Sequence, residues 1–318
     1  MIRSRSRPPG YGQPSGTLGD MAGEPLTEEV SESVRAAPAA PLRGLLSWYS
    51  GYRQEGVPPG RHRGLPSPYL TVIITLGDPL TVARHPDPAD PPGEYLTLAG
   101  GLHTKPAIIT HPGRQSGIQL ALSPLGARAL LGCPAGALAG IDVDGSEVLG
   151  HVARELHERL GEAGSWPARF ALLDQILLDH ADLDRQVTPD VAEAWRLLTR
   201  SGGTVRAGEL ARRVGWSPRY LQRRLQTETG LTPKAAARVT RFDRARRTLQ
   251  RQTTAPAGLS PATSPADPSL ASLAAECGYY DQAHLAREFR ELAGCPPSRW
   301  LAEEFRNVQS VPAPREGD

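Results

Sequence analysis

The chain has 318 residues and a mass of 34.1 kDa, with 36 basic and 34 acidic side chains and a formal net charge of +2. That length suits two domains, each large enough for its own core. No apolar run approaches the ~18 residues needed to cross a bilayer, which excludes an integral helical membrane protein. Cys133, Cys277 and Cys295 show no metal-like spacing and do not suit a disulfide framework, so a reduced, cytoplasmic protein without metal or other cofactor is expected.

Residues 1–40 are rich in Ser, Pro, Gly and Arg and have no apolar central stretch, so they are expected to form a disordered leader, not a secretory signal. Residues 41–181 are expected to form the first domain. Leu70, Val72, Ile74 and Leu76 alternate with Thr71, Ile73 and Thr75, a strand pattern that Gly77-Asp78-Pro79 ends. Tyr95–Ala99, Ala107–His111 and Gly117–Leu122 read as further strands, and short strands between Gly and Pro suggest a small barrel or a sandwich. Beyond Ser123-Pro124 the period becomes helical. Leu149, Val152, Leu156 and Leu160 share one face, and Phe170, Leu173 and Leu177 another. These helices would pack on the strands, on a partner subunit, or on both. Residues 182–189 read as a linker. Residues 190–306 are helical except for a flexible, four-proline insertion at 252–268, and 307–318 form a disordered tail.

The helical half contains an internal repeat. One copy carries Leu210-Ala211, Val214-Gly215-Trp216, Leu221, Leu225, Gly230 and Pro233. The other carries Leu273-Ala274, Cys277-Gly278-Tyr279, Leu285, Phe289, Gly294 and Pro297, with one extra residue after its turn glycine. Each copy reads as a helix-turn-helix. A small residue, Ala211 or Ala274, lets two helices approach, and Gly215 or Gly278 makes the turn. Ser217 and Asp281 are candidate N-caps, and Gly230 and Gly294 candidate helix ends. Between the copies a single helix is expected from Pro233 to about Gln250, capped by Thr232 and burying Ala235, Val239, Phe242, Ala245 and Leu249.

Charge is concentrated in the same region. Thr204 to Arg251 holds thirteen basic residues against Glu209, Glu228 and Asp243, a net of +10. The chain total is +2, so the remaining residues sum to −8. A solvated helix face normally mixes signs; this asymmetry is the footprint of a surface that binds nucleic-acid phosphates.

Ser217-Pro218-Arg219-Tyr220-Leu221-Gln222-Arg223-Arg224, Thr229-Gly230-Leu231-Thr232-Pro233, Arg241-x3-Ala245-Arg246, Gly278-Tyr279-Tyr280-Asp281-Gln282 and Phe289-x4-Gly294-x2-Pro297 together resemble the AraC/XylS family of bacterial transcription regulators, over about residues 190–304. The resemblance implies an α+β chain of two domains. An N-terminal cupin-like β-barrel with appended helices would sense or dimerise, and an all-α domain of two helix-turn-helix modules joined by a linker helix would bind DNA. It implies base reading by Arg219, Gln222 and Arg223 in the first module and by Gln282, Ala283, Ala286 and Arg287 in the second. Arg can pair two-pronged with guanine and Gln with adenine. Ser217, Arg224, Arg238 and Arg246 are then candidates for phosphate contacts, while Arg241 fits an internal salt bridge better. Ala283 and Ala286 are too short to hydrogen-bond a base, so the second module would read shape, a thymine methyl or mostly phosphates.

The partners implied are double-stranded promoter DNA, RNA polymerase, a small-molecule effector and a second copy of the chain, with no membrane and a cytoplasmic, nucleoid-associated location. The effector-binding residues stay unassigned. His62, His85, His103 and His111 lack metal-ligand spacing, and no catalytic constellation stands out, so an enzyme is not expected. Two alternatives remain open: a cupin-type metal enzyme fused to a DNA-binding module, and a regulator whose first domain only dimerises. Gly100-Gly101-Leu102-His103-Thr104-Lys105-Pro106 reads as a hairpin loop carrying a cation.

Overall fold

A computed structural model describes residues 29–254 and 270–304. Residues 1–28 of the expected leader, 255–268 of the expected insertion and the expected tail at 307–318 lie outside the described residues. Ten strands and eleven α-helices are described. In chain order they are β1 (Val30–Ala36), β2 (Leu46–Glu55), β3 (Gly60–Gly64), β4 (Leu70–Thr75), β5 (Leu80–Arg84), β6 (Gly93–Tyr95), β7 (Thr97–Gly100), β8 (Ala107–His111), β9 (Gln115–Leu122), α1 (Ala127–Leu131), β10 (Asp142–Asp144), α2 (Ser146–Leu149), α3 (Val152–Glu162) and α4 (Trp166–His180). The helical half follows with α5 (Pro189–Arg200), α6 (Ala207–Arg213), α7 (Pro218–Thr229), α8 (Pro233–Thr254), α9 (Leu270–Glu276), α10 (Gln282–Ala293) and α11 (Pro297–Glu304). The chain is α+β, sheet-rich first and helical after, as expected.

The strands make two antiparallel sheets rather than one closed barrel: six strands in the order β1-β2-β9-β4-β7-β10 and four in the order β3-β8-β5-β6. The β4 and β8 runs fall where the alternation places them. β1 lies inside the expected leader and pairs with β2 from Val30↔Glu55 to Ala36↔Tyr49. That corrects the leader: Val30, Val34 and Ala36 supply an alternating face that the surrounding Ser, Glu and Arg obscured.

One face of the six-stranded sheet is covered by helices. Ser165 caps α4 by accepting the Ala168 amide, and Pro167 sits in its first turn. Phe170, Leu173, Ile176 and Leu177 are buried on α4, each worth about 1.5–3 kcal/mol of apolar transfer. The Tyr49 hydroxyl of β2 donates to Asp174 at 2.9 Å and fixes the helix on the sheet.

In the helical half α8 is the axis. The Thr232 hydroxyl accepts the Ala235 amide at its start. Ala236, Val239, Phe242, Ala245 and Leu249 are fully buried, so the stripe runs through Ala236, one position beyond the expected Ala235, which is half-buried. Phe242 meets Phe289 with ring centroids 4.9 Å apart, and Phe289 meets Trp300 at 5.8 Å. α8 has 22 residues, four more than expected, and at ~1.5 Å per residue spans about 33 Å.

Candidate nucleic-acid interface

The two repeat copies fold alike. Trp216 donates its amide to the Ala211 carbonyl, and Tyr279 donates to the Ala274 carbonyl, both at 2.8 Å. Gly215 and Gly278 sit at φ of 71° and 76°, the left-handed region that side chains resist. The Ser217 hydroxyl then accepts the Tyr220 amide, and Asp281 accepts the His284 amide at 2.7 Å, starting α7 and α10. Leu221 and Leu225 are buried beneath α7; Leu285 and Phe289 are buried beneath α10. Both helices end on a left-handed glycine, Gly230 and Gly294.

The expected reading positions differ in exposure. Arg219, Gln222 and Arg223 are exposed on α7, and Gln282, Ala283 and Arg287 on α10; Ala286 is half-buried. Arg223 lies over the Tyr220 ring at 5.1 Å, and Tyr220 meets Trp216 edge-on at 5.0 Å, so the guanidinium stands on a braced aromatic.

The expected phosphate residues divide. Ser217 is exposed and serves as a cap. Arg224 donates to the Thr188 hydroxyl at 3.2 Å and stands 3.9 Å from Glu228. Arg238 is held by Glu288 at 2.8 Å and by Glu291. Arg241 pairs with Glu288 at 3.6 Å and lies over the Tyr279 ring, the internal role expected of it. Arg246 is the correction. Its side chain is 17% exposed, pairs with Asp243 at 2.6 Å and lines a cavity on the side of α8 facing the sheets, away from an open surface. Periodicity places Arg246 on α8; which neighbour that face meets depends on the packing of the two halves.

Between the modules runs a groove bordered by Arg206, Lys234, Arg238, Arg241 and Arg287, with Glu288 and Glu291 as its acids. Tyr280, the extra residue of the second copy, is 93% exposed beside it in sequence. The one-residue mismatch between repeats was the signal for it.

The cavity behind Arg246 lies between the two sheets. The register carries one row of residues across its floor: Trp48↔Ala121, Ala121↔Thr71, Thr71↔Gly100 and Gly100↔Asp142. Val82, Ala107 and Ile109 line it from the other sheet, and Arg246, Arg247 and Gln250 of α8 close it. It encloses about 120 Å³. At the β1 end Arg35 stacks on Trp48 at 4.2 Å; burial, with Arg247 and Arg246 nearby, pulls its pKa down to about 10. At the β10 end Asp142 accepts from or shares a proton with His85 Nδ1 at 2.8 Å, and burial holds His103 below its usual pKa. Gly100, Gly101 and His103 of the expected hairpin loop line this end, and Lys105 points to solvent. Among the described residues no group of three or more His, Cys, Asp or Glu is placed to hold a metal ion, and no helix is long and apolar enough to cross a membrane.

The halves also meet at α7. Arg128 grips Glu228, and the 3-10 turn Ala135–Leu138 packs on the end of that helix, where Ala139 faces Gly230. Arg63 of β3 pairs with Glu303 of α11.

A family model described as a helix-turn-helix domain matches residues 210–303. No curated protein matched the chain. Among solved structures, an AraC-type regulator from Chromobacterium violaceum is 22% identical with a TM-score of 0.29, covering 36% of this chain and 91% of that one. A probable AraC-family regulator from Rhodopseudomonas palustris is 22% identical with a TM-score of 0.29, covering 36% and 96%. ToxT from Vibrio cholerae is 10% identical with a TM-score of 0.45, covering 83% and 98%. The chain therefore carries a helix-turn-helix domain over residues 210–303.

Proposed function

We propose that the protein is a sequence-specific, ligand-responsive one-component activator that binds promoter DNA through two helix-turn-helix modules. The observation that carries this reading is the pair of exposed faces on α7 and α10, built behind the same turn and set along α8. Major-groove faces on one side of B-DNA recur about every 34 Å, and α8 is the common support on which both modules pack, α10 joining it at Arg238, Arg241 and Phe242. Arg219, Gln222 and Arg223 read bases from α7, and Gln282, Ala283, Ala286 and Arg287 present the second surface. Ser217, Arg224 and Arg238, with the basic groove between the modules, position the phosphate backbone. A first domain that takes in β1 and reaches residue 181, a second over 190–306, contact with RNA polymerase, a homodimer and a cytoplasmic location belong to the same reading.

The enclosed cavity is the effector site. Arg35, Arg246 and Arg247 converge there, with Asp243 as the carboxylate that Arg246 and Arg247 share. Positive charge held out of water is stabilised by an anion. An anion bound there touches α8, the helix that spaces the modules, so its differential affinity for two tilts of α8 would bias DNA binding.

The test is anisotropy titration of the full chain against duplexes recovered by genome-wide occupancy mapping, with scrambled duplexes as controls and octanoate as an anionic probe. The reading expects cognate binding at least ~10³-fold tighter than scrambled. It also expects a cognate affinity that octanoate shifts severalfold in the wild type and not in Arg246→Ala. Equal affinity for all duplexes would sink the sequence-specific reading. Indifference to octanoate in the wild type would sink the anionic effector.

A further inference from the structure

Resting on the reading of the cavity as an effector site, we infer that its ligand is dipolar: an anionic group at the arginine end and an ammonium or comparable hydrogen-bond donor at the Asp142 end. The floor row sets the geometry. Asp142 lies four strands from Trp48, about 19 Å at ~4.8 Å per strand. Arg35 stands on Trp48, so the guanidinium and the Asp142 carboxylate lie at opposite ends of the row and both line the cavity. Ile73, Val82, Leu98 and Ile109 supply apolar lining between the two ends, with Thr71 and Gln119 among them.

The chemistry of the far end is one-sided. Asp142 Oδ2 is taken by His85, whose other ring nitrogen lies 3.3 Å from the Tyr95 hydroxyl. Oδ1 lies over Gly100, whose missing side chain leaves the carboxylate room at the cavity wall. His103 Nδ1 is 2.5 Å from the Lys105 carbonyl, an acceptor, so Nδ1 carries the ring proton and Nε2 is left as an acceptor. Two acceptors without a donor call for a ligand that donates, and an ammonium offers three N–H groups. A plain fatty chain would leave Asp142 desolvated and unanswered.

Calorimetry on the full chain with octanoate and ω-amino-octanoate tests this. The amino acid is expected to bind at least tenfold more tightly than octanoate. In Asp142→Asn that advantage should fall to within about twofold, while octanoate binds as it does to the wild type, which also reports that the variant is folded. Binding of octanoate without any advantage for ω-amino-octanoate would overturn the dipolar ligand and leave the anionic effector standing. An advantage that survives in Asp142→Asn would overturn the role of Asp142. If neither probe binds, both inferences fall.

Discussion

Arg128 and Glu228, 100 residues apart, form a two-pronged ion pair, with Nε 2.9 Å from Oε2 and Nη2 3.1 Å from Oε1. The pair ties the sheet half to the last turn of α7 and leaves the first turn, with Arg219 and Gln222, facing outward. Glu228 is buried, and without Arg128 its nearest cation is Arg224 at 3.9 Å. Arg128→Ala should therefore cost about 1–3 kcal/mol of stability, less than a fully enclosed pair because Arg128 is partly solvated. Urea unfolding measures it; an unchanged midpoint would show that the pair contributes nothing.

Two glycines separate backbone strain from docking. Gly215 at φ 71° has nothing near a built Cβ, so Gly215→Ala should cost only about 1–2 kcal/mol. Gly230 at φ 81° would in addition drive a Cβ into Ala139. Gly230→Ala should be the more damaging of the two, and the excess measures the contact between the halves. Equal losses would mean that Ala139 simply moves aside.

Arg223→Ala should weaken cognate binding by about 1–3 kcal/mol and relax preference at one base pair. Tyr220→Leu, which keeps Arg223 but removes its aromatic support, should produce a smaller loss of the same kind. Anisotropy on cognate and scrambled duplexes decides: equal losses on both would make Arg223 a phosphate contact.

Tyr280 carries an aromatic ring into solvent from a turn whose backbone is fixed, its amide donating to His284 Nδ1 at 3.3 Å. It immediately precedes Asp281, the cap of α10, four residues before His284, which lines the basic groove. Tyr280→Phe should weaken specific and scrambled duplexes alike by about 0.5–1.5 kcal/mol, the loss of one hydroxyl–phosphate bond. A loss confined to the cognate duplex would assign the ring to a base instead.

Phe242→Ala should cost about 3–5 kcal/mol, because it empties the contact between α8 and Phe289. Thermal unfolding of the full chain checks this, and a loss below about 1 kcal/mol would show that the core refills the space.

Much of the helical half was readable in order along the chain. Ala211 and Gly215, or Ala274 and Gly278, lie within a few residues of the amides and helices they govern, so local spacing carried the information. The cavity was not readable. Asp142 and Trp48 share a floor only because four successive strand pairings bring them into one row, and none of those registers is a local property. Arg246 was misassigned for the same reason: a run of arginines fixes the helix on which they stand, whereas the direction each one faces comes from a distant sheet. β1 was lost in a polar segment because an edge strand needs only a few apolar positions.

The stretch of α8 between Pro233 and its junction with α10 sets an angle as well as a distance. Removing one residue from a helix turns everything beyond it by about 100°, and only changes near a whole turn restore the original azimuth. Phe242 joins α10 to the rod partway along it, so a deletion between Pro233 and Phe242 would point the two modules at different sides of the duplex while leaving each one folded. Length changes between Thr254 and Leu270 fall beyond that junction and leave the phase intact. The chain can therefore vary in the second interval at little cost to DNA binding, and hardly at all in the first.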